Sequence, residues 1–155
     1  MKLSLSISLF LFVLFSLLAC NGNEKSEQKK VESKSESKKV DDEAAAIFKS
    51  GQKLYIQHCS ACHMPKGDGI PGLNPPLINT DWVTGDKTRL VNIVINGLEE
   101  PIEVNGQKYQ GPMIGLPYLK DKEIAHILTY IRSRFGKGAS SVTEEEVKAI
   151  RGSAS

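Results

Sequence analysis

Cys59-Ser60-Ala61-Cys62-His63 sets two thiols three residues apart with an imidazole next in line. On one tight helical turn, thiols at that spacing can add to the two vinyl groups along one edge of a porphyrin. The following histidine is then carried beneath the ring, where it can bind iron. Such thioethers are covalent, so an exported protein could not lose the cofactor. Two other chemistries use C-x-x-C. A zinc site needs further thiol or imidazole ligands, and His58 and His126 are the only other histidines. A thiol–disulfide pair belongs after the strand of a βαβ unit, whereas the residues before Cys59 follow a helical pattern. The spacing points to one haem c, bound through Cys59 and Cys62, with His63 on the iron.

An iron held by one histidine has a further axial position, for which Met64, Met113 and His126 are downstream candidates. Met64 adjoins His63 and cannot reach the opposite face of a ring. Met113 lies in the Gly/Pro-rich stretch Tyr109 to Pro117, long enough to fold over one. Its thioether would favour ferrous iron and raise the reduction potential, although a methionine can equally serve as core filler. His126 falls off the apolar stripe of its helix and reads as a surface residue.

These side chains need a scaffold, and its pattern is helical. Ala44, Ile47, Phe48, Gly51, Leu54 and Tyr55 recur at helical spacing behind the acidic Asp41-Asp42-Glu43. Asp86 can cap a short helix that Asn96-Gly97 stops. Asp121 can cap a longer one, with Ile124, Ile127, Leu128, Ile131 and Phe135 as its stripe, ending at Gly136. Between them, Asn105-Gly106 supports a hairpin turn within Ile102 to Tyr109, just before the Met113 loop. Thr143-Glu144-Glu145-Glu146 is a capping box, with Val142 and Val147 as its hydrophobic staple, so Thr143 to Arg151 is expected to form a last short helix. The expected class is all-α, with three or more helices and one small hairpin.

The 155 residues divide unevenly. Leu3 to Ala19 is an apolar run after a lone Lys2, too short to span a bilayer and shaped like an export signal. It ends in Leu17-Leu18-Ala19-Cys20, which resembles the lipobox of bacterial lipoproteins. That resemblance implies a signal over 1–19 and a lipid on Cys20, anchoring the protein outside the cytoplasm. From 21 to 43, six lysines face seven acids with almost nothing apolar. This charged segment is expected to be a disordered tether with a root-mean-square span of roughly 25 Å, extensible to about 75 Å. The folded domain is expected over 44–136, with 137–155 as an extension. From Ala44 onward 13 Lys+Arg oppose 11 Asp+Glu, too weak a surplus for nucleic-acid binding or strong steering. A core that small commonly needs a cofactor as filler.

The stretch from about Ala44 to Phe135 resembles the class I cytochromes c. The resemblance rests on Gly51-x-x-x-Tyr55, the CSACH site, Pro75-Pro76-Leu77, the Gly111-x-Met113 loop and the ending LKDKEIAHILTYIRSRFG. It implies the cytochrome c fold around one covalent haem, with His63 and Met113 as axial ligands. It further implies a Pro75 or Pro76 carbonyl accepting the His63 Nδ1 hydrogen, Trp82 near the haem propionates, and Gly51 receiving Tyr130 or a near neighbour. A one-electron carrier rather than an enzyme follows from it, tethered to a membrane, working between unidentified redox partners, as a monomer or a subunit of a respiratory complex. Two alternatives remain open at this stage. One is a haem sensor or weak peroxidase with an open sixth position, the other a thiol–disulfide oxidoreductase without haem.

Overall fold

The computed structural model describes residues 25–153, and side chains from residue 37 onward. The expected signal and Cys20 lie outside the described residues. The chain divides into two units, 1–41 and 42–155. Helix α1, Lys25–His58, begins well before Ala44, inside the segment expected to be a disordered tether. Opposite charges four residues apart, such as Lys38 with Asp42 and Lys39 with Glu43, are compatible with that extension. Side chains from 37 to 46 are exposed, so burial begins only at Ile47 and Phe48.

Helix α1 is joined to the long terminal helix α5, Asp121–Arg134, at Gly51. A Cβ on Gly51 would run into the His126 carbonyl oxygen and stand 2.8 Å from the Tyr130 Cβ. Only a residue without a side chain permits this approach. Around the joint, Phe48, Tyr55, Tyr130 and Phe135 pack as tilted and edge-on rings, with centroids 5.0 to 5.7 Å apart. Such offset geometries use the ring quadrupoles as well as the buried area. Ser50 Oγ and His126 Nδ1 lie 2.9 Å apart beside the glycine, so His126 belongs to the helix joint.

Between these helices come α2, Ser60–His63, and α3, Asp81–Thr84, whose cap Thr80 accepts from Val83 N. Next is α4, Lys87–Asn96, where the expected Asp86 cap accepts from the amides of Thr88 and Arg89. Leu90, Val91, Val94 and Ile95 give α4 its buried face, and Gly97, at φ 83°, ends it. Two small antiparallel pairs follow. Strand β1, Gly97–Leu98, pairs with β4, Met113–Ile114, and the expected hairpin is β2, Ile102–Val104, with β3, Gln107–Tyr109. Its turn holds Asn105 and Gly106 at φ 51° and 78°, the positive values that a two-residue turn of this hand requires.

One detail differs from expectation. Asp121 is the first residue of α5 rather than its cap, and the preceding Lys120 amide donates to the Glu123 carboxylate. The extension packs on the domain. Thr143 and Glu146 exchange both hydrogen bonds of the capping box, and α6, Glu144–Ser153, follows. Val142 and Val147 are buried in the same core as Ile124, Leu128 and Tyr130. Arg132, 3% exposed, secures that arrangement: Nε donates to Ser140 O, Nη1 to Val83 O and Gly85 O, and Nη2 to Ser140 Oγ. One guanidinium thereby joins α3, α5 and the start of the extension.

Candidate functional site

The C-x-x-C-H residues occupy the junction where α1 gives way to α2. Cys59 N donates to Tyr55 O, and the Cys62 and His63 amides both donate to Cys59 O, which wraps the motif into a tight turn. Both thiols are unpaired, Cys59 half-buried against the core and Cys62 exposed. Burial and, secondarily, the neighbouring Cys62 push the Cys59 thiol up to about 12. Among the described residues no three His, Cys, Asp or Glu side chains gather into a metal-ligand cluster.

His63 is buried, and its Nδ1 lies 3.0 Å from the Pro75 carbonyl oxygen. As that carbonyl can only accept, Nδ1 carries the hydrogen and Nε2 keeps a free lone pair. Burial lowers the affinity of His63 for a proton below that of an ordinary histidine, and the bond to Pro75 partly opposes the shift. The carbonyl is set by local backbone. Ile70 and Asn74 exchange hydrogen bonds, Leu77 N donates to Gly67 O, and Gly69 N donates to His63 O. Gly69, at φ 68°, has its Cα packed on the Asn74 and Pro75 carbonyls, where a Cβ would collide. Pro76 is half-buried and makes no hydrogen bond of this kind among those described.

Beneath the histidine, the Tyr55 hydroxyl donates to Met64 O at 2.6 Å. Tyr55 is fully buried, and burial, followed by the Cys59, Tyr130 and Asp68 charges, raises its phenol well above the ordinary range. It thus stays a neutral donor and grips the residue that leaves the motif, Met64, at φ 62°. Met64 itself is exposed.

Met113 is held by a different device from the irregular loop expected. It lies in β4 opposite Leu98, half-buried and packed against the core. Ahead of it, Gly111 N donates to Leu73 O, in the same turn that presents Pro75. Behind it, Gly115 lies against the Ile95 and Asn96 backbone, and Leu116 N donates to Val94 O. The segments that carry Pro75 and Met113 are therefore tied to each other directly. Trp82 is half-buried, with its indole N–H donating to Glu103 O and the Arg89 guanidinium 4.4 Å above its ring. Its one donor is used to stitch α3 to the hairpin. His58 stands edge-on to Tyr118, with ring centroids 6.2 Å apart.

Two unpaired thiols on one turn and a buried imidazole with a fixed tautomer form a donor set that fits a covalently attached haem. The Tyr55 hydroxyl, the β1–β4 pair and the Arg132 links had no separate mark in the sequence. Residues 48–135 match the model of the cytochrome c family. Cytochrome c-552 of Thermus thermophilus is 40% identical over 110 residues, which cover 65% of this chain and 83% of that protein. The cytochrome c subunit of a quinone alcohol dehydrogenase from Gluconobacter oxydans is 30% identical over 106 residues, 66% of this chain but 22% of the relative. The cytochrome c subunit of gluconate 2-dehydrogenase from Pantoea cypripedii is also 30% identical, over 123 residues, 72% of this chain and 27% of the relative. With the attachment motif on a helical turn, small antiparallel strand pairs and a mainly helical core, the chain belongs to the cytochrome c family, as a c-type electron carrier.

Proposed function

We propose that the protein is an exported, lipid-tethered mono-haem carrier that passes one electron at a time between extracytoplasmic redox partners. Cys59 and Cys62 form the thioethers, and His63 Nε2 and Met113 Sδ are the axial ligands. The observation that carries this reading is the His63 Nδ1 to Pro75 contact beside two unpaired thiols, with Met113 held in a strand tied to the Pro75 turn. When bound, haem supplies the ferric/ferrous couple. The chain's own residues do the rest. Pro75 orients the imidazole and keeps its tautomer, Tyr55 holds the turn below it, and β1 holds the methionine. A framework fixed in this way changes little with oxidation state, which suits electron transfer without a substrate pocket.

In this reading Trp82 lies near the haem propionates, with its N–H given to Glu103. Ile56, Leu73, Ile114 and Tyr118 are exposed apolar side chains, between 49% and 82% accessible. They suit weak, transient docking, because the net charge of the folded part is small. Relatives that are dehydrogenase cytochrome subunits support a dehydrogenase as one redox partner.

A visible spectrum of the protein matured in a haem-attaching host tests the chemistry. The expected result is a low-spin ferrous spectrum, a ferric near-red sulfur-to-iron band, and haem that stays on the chain through denaturing electrophoresis. Tight carbon monoxide binding by the native ferrous protein would favour the sensor or peroxidase alternative instead. For the tether, Cys20→Ser is expected to release the protein from the membrane fraction.

A further inference from the structure

Helix α6 reaches back to the segment that follows Met113. The Arg151 guanidinium donates from Nη1 to Pro117 O at 3.1 Å, from Nη2 to Leu119 O at 2.8 Å, and from Nε to Asp121 Oδ1 at 2.7 Å. It therefore holds two carbonyls of the turn between β4 and α5, together with the first residue of α5. Arg151 and Asp121 are 31% and 24% exposed at their side chains, so solvent screens the pair only in part. Leu119 N donates to Leu116 O, and Leu116 N to Val94 O, which makes this turn the next fixed point after the methionine. Met113 is thus paired to β1 and followed along the chain by a turn clamped from the C-terminal extension.

We infer that Arg151 is a positioning residue for the Met113 thioether: by clamping Pro117 and Leu119 it holds the methionine segment closed and resists its displacement from iron by an outside ligand. This rests on Met113 being the sixth ligand. The planar fork matters, since three acceptors in different directions are met by one rigid group, which a lysine cannot reproduce. The other charged link of α6, Lys87 Nζ to Glu146 at 2.8 Å, attaches the helix to the start of α4 instead and touches no residue of the methionine segment. The two links offer a direct comparison.

The experiment titrates full-length ferric holoprotein with imidazole and follows loss of the near-red band, in the parent and in Arg151→Ala, Arg151→Lys, Lys87→Ala and Met113→Ala. An outside ligand binds only the fraction in which the thioether has left, so its apparent affinity scales with that fraction. Arg151→Ala is expected to raise the imidazole affinity at least about tenfold, Arg151→Lys less, and Lys87→Ala not at all, whatever each does to the unfolding temperature. If Arg151→Ala yields no folded holoprotein, Arg151→Lys decides by the same readout. Unchanged affinity in the arginine variants, or an equal rise in Lys87→Ala, would overturn the inference while leaving methionine ligation standing. A parent protein without the near-red band, or a Met113→Ala variant that keeps it, would overturn the ligand assignment and the inference with it.

Discussion

The Cα of Gly51 rests against the backbone carbonyl of His126 and the Cβ of Tyr130, with no side chain between α1 and α5. The obstruction that a methyl group would meet there is backbone, which cannot swing aside as a side chain can. Gly51→Ala is accordingly expected to cost about 3 kcal/mol, at the upper end of overpacking penalties. Denaturant unfolding of the holoprotein checks this. A variant within about 0.5 kcal/mol of the parent, the usual range for surface substitutions, would contradict the close approach.

Tyr55→Phe removes the donor to Met64 O and leaves the ring packing in place. Loss of one buried hydrogen bond is expected to cost about 1–2 kcal/mol. There is also a pH signature. The folded phenol titrates above the ordinary value of 10, so folding favours its neutral form. Its contribution is fully present below the unfolded pKa and declines as pH rises beyond about 10 toward the folded value. Stability of the parent should therefore fall more steeply above pH 10 than that of Tyr55→Phe, which lacks the group.

Met113→Ala is expected to lower the reduction potential by more than about 60 mV, a tenfold change for a one-electron couple. With Met113 as the proposed sixth ligand, loss of a soft donor that favours ferrous iron gives the sign. Potentiometric titration followed by visible absorbance measures it, and an unchanged potential would place the sixth ligand elsewhere.

Arg132→Ala leaves the carbonyls of Val83, Gly85 and Ser140 without their shared donor. With several buried acceptors orphaned at once, about 2–4 kcal/mol of stability should be lost. Amide exchange is expected to accelerate in α3 and around 139–147 before it does in α4. Uniform acceleration across all helices would argue against a local link.

The parts readable from sequence were those with short-range periodicity or fixed chemistry. The C-x-x-C-H spacing, the Asp86 cap, the Asn105-Gly106 turn, the α5 stripe and the Thr143 capping box each depend on residues within a few positions of one another. What stayed hidden depends on distant partners. Arg132 and Arg151 look like surface residues of amphipathic helices, yet Arg132 reaches backbone 49 residues away and Arg151 backbone up to 34 away. Strands of two residues such as β1 and β4 are too short to show alternation. Trp82 carries no mark of the Glu103 carbonyl that takes its N–H. Lys25–Glu43 forms helix while its described side chains bury nothing, a case in which composition and local charge spacing point in opposite directions.

The contact at Gly51 also sets an order of events in time. Ser50 and His126 are 76 residues apart, so α1 cannot dock on α5 until that whole length of chain exists and has been brought round. The turn that carries Cys59 and Cys62 is closed by bonds reaching no further back than Tyr55, so it can form in a chain that has not yet closed. The aromatic joint behind it packs only when α5 arrives.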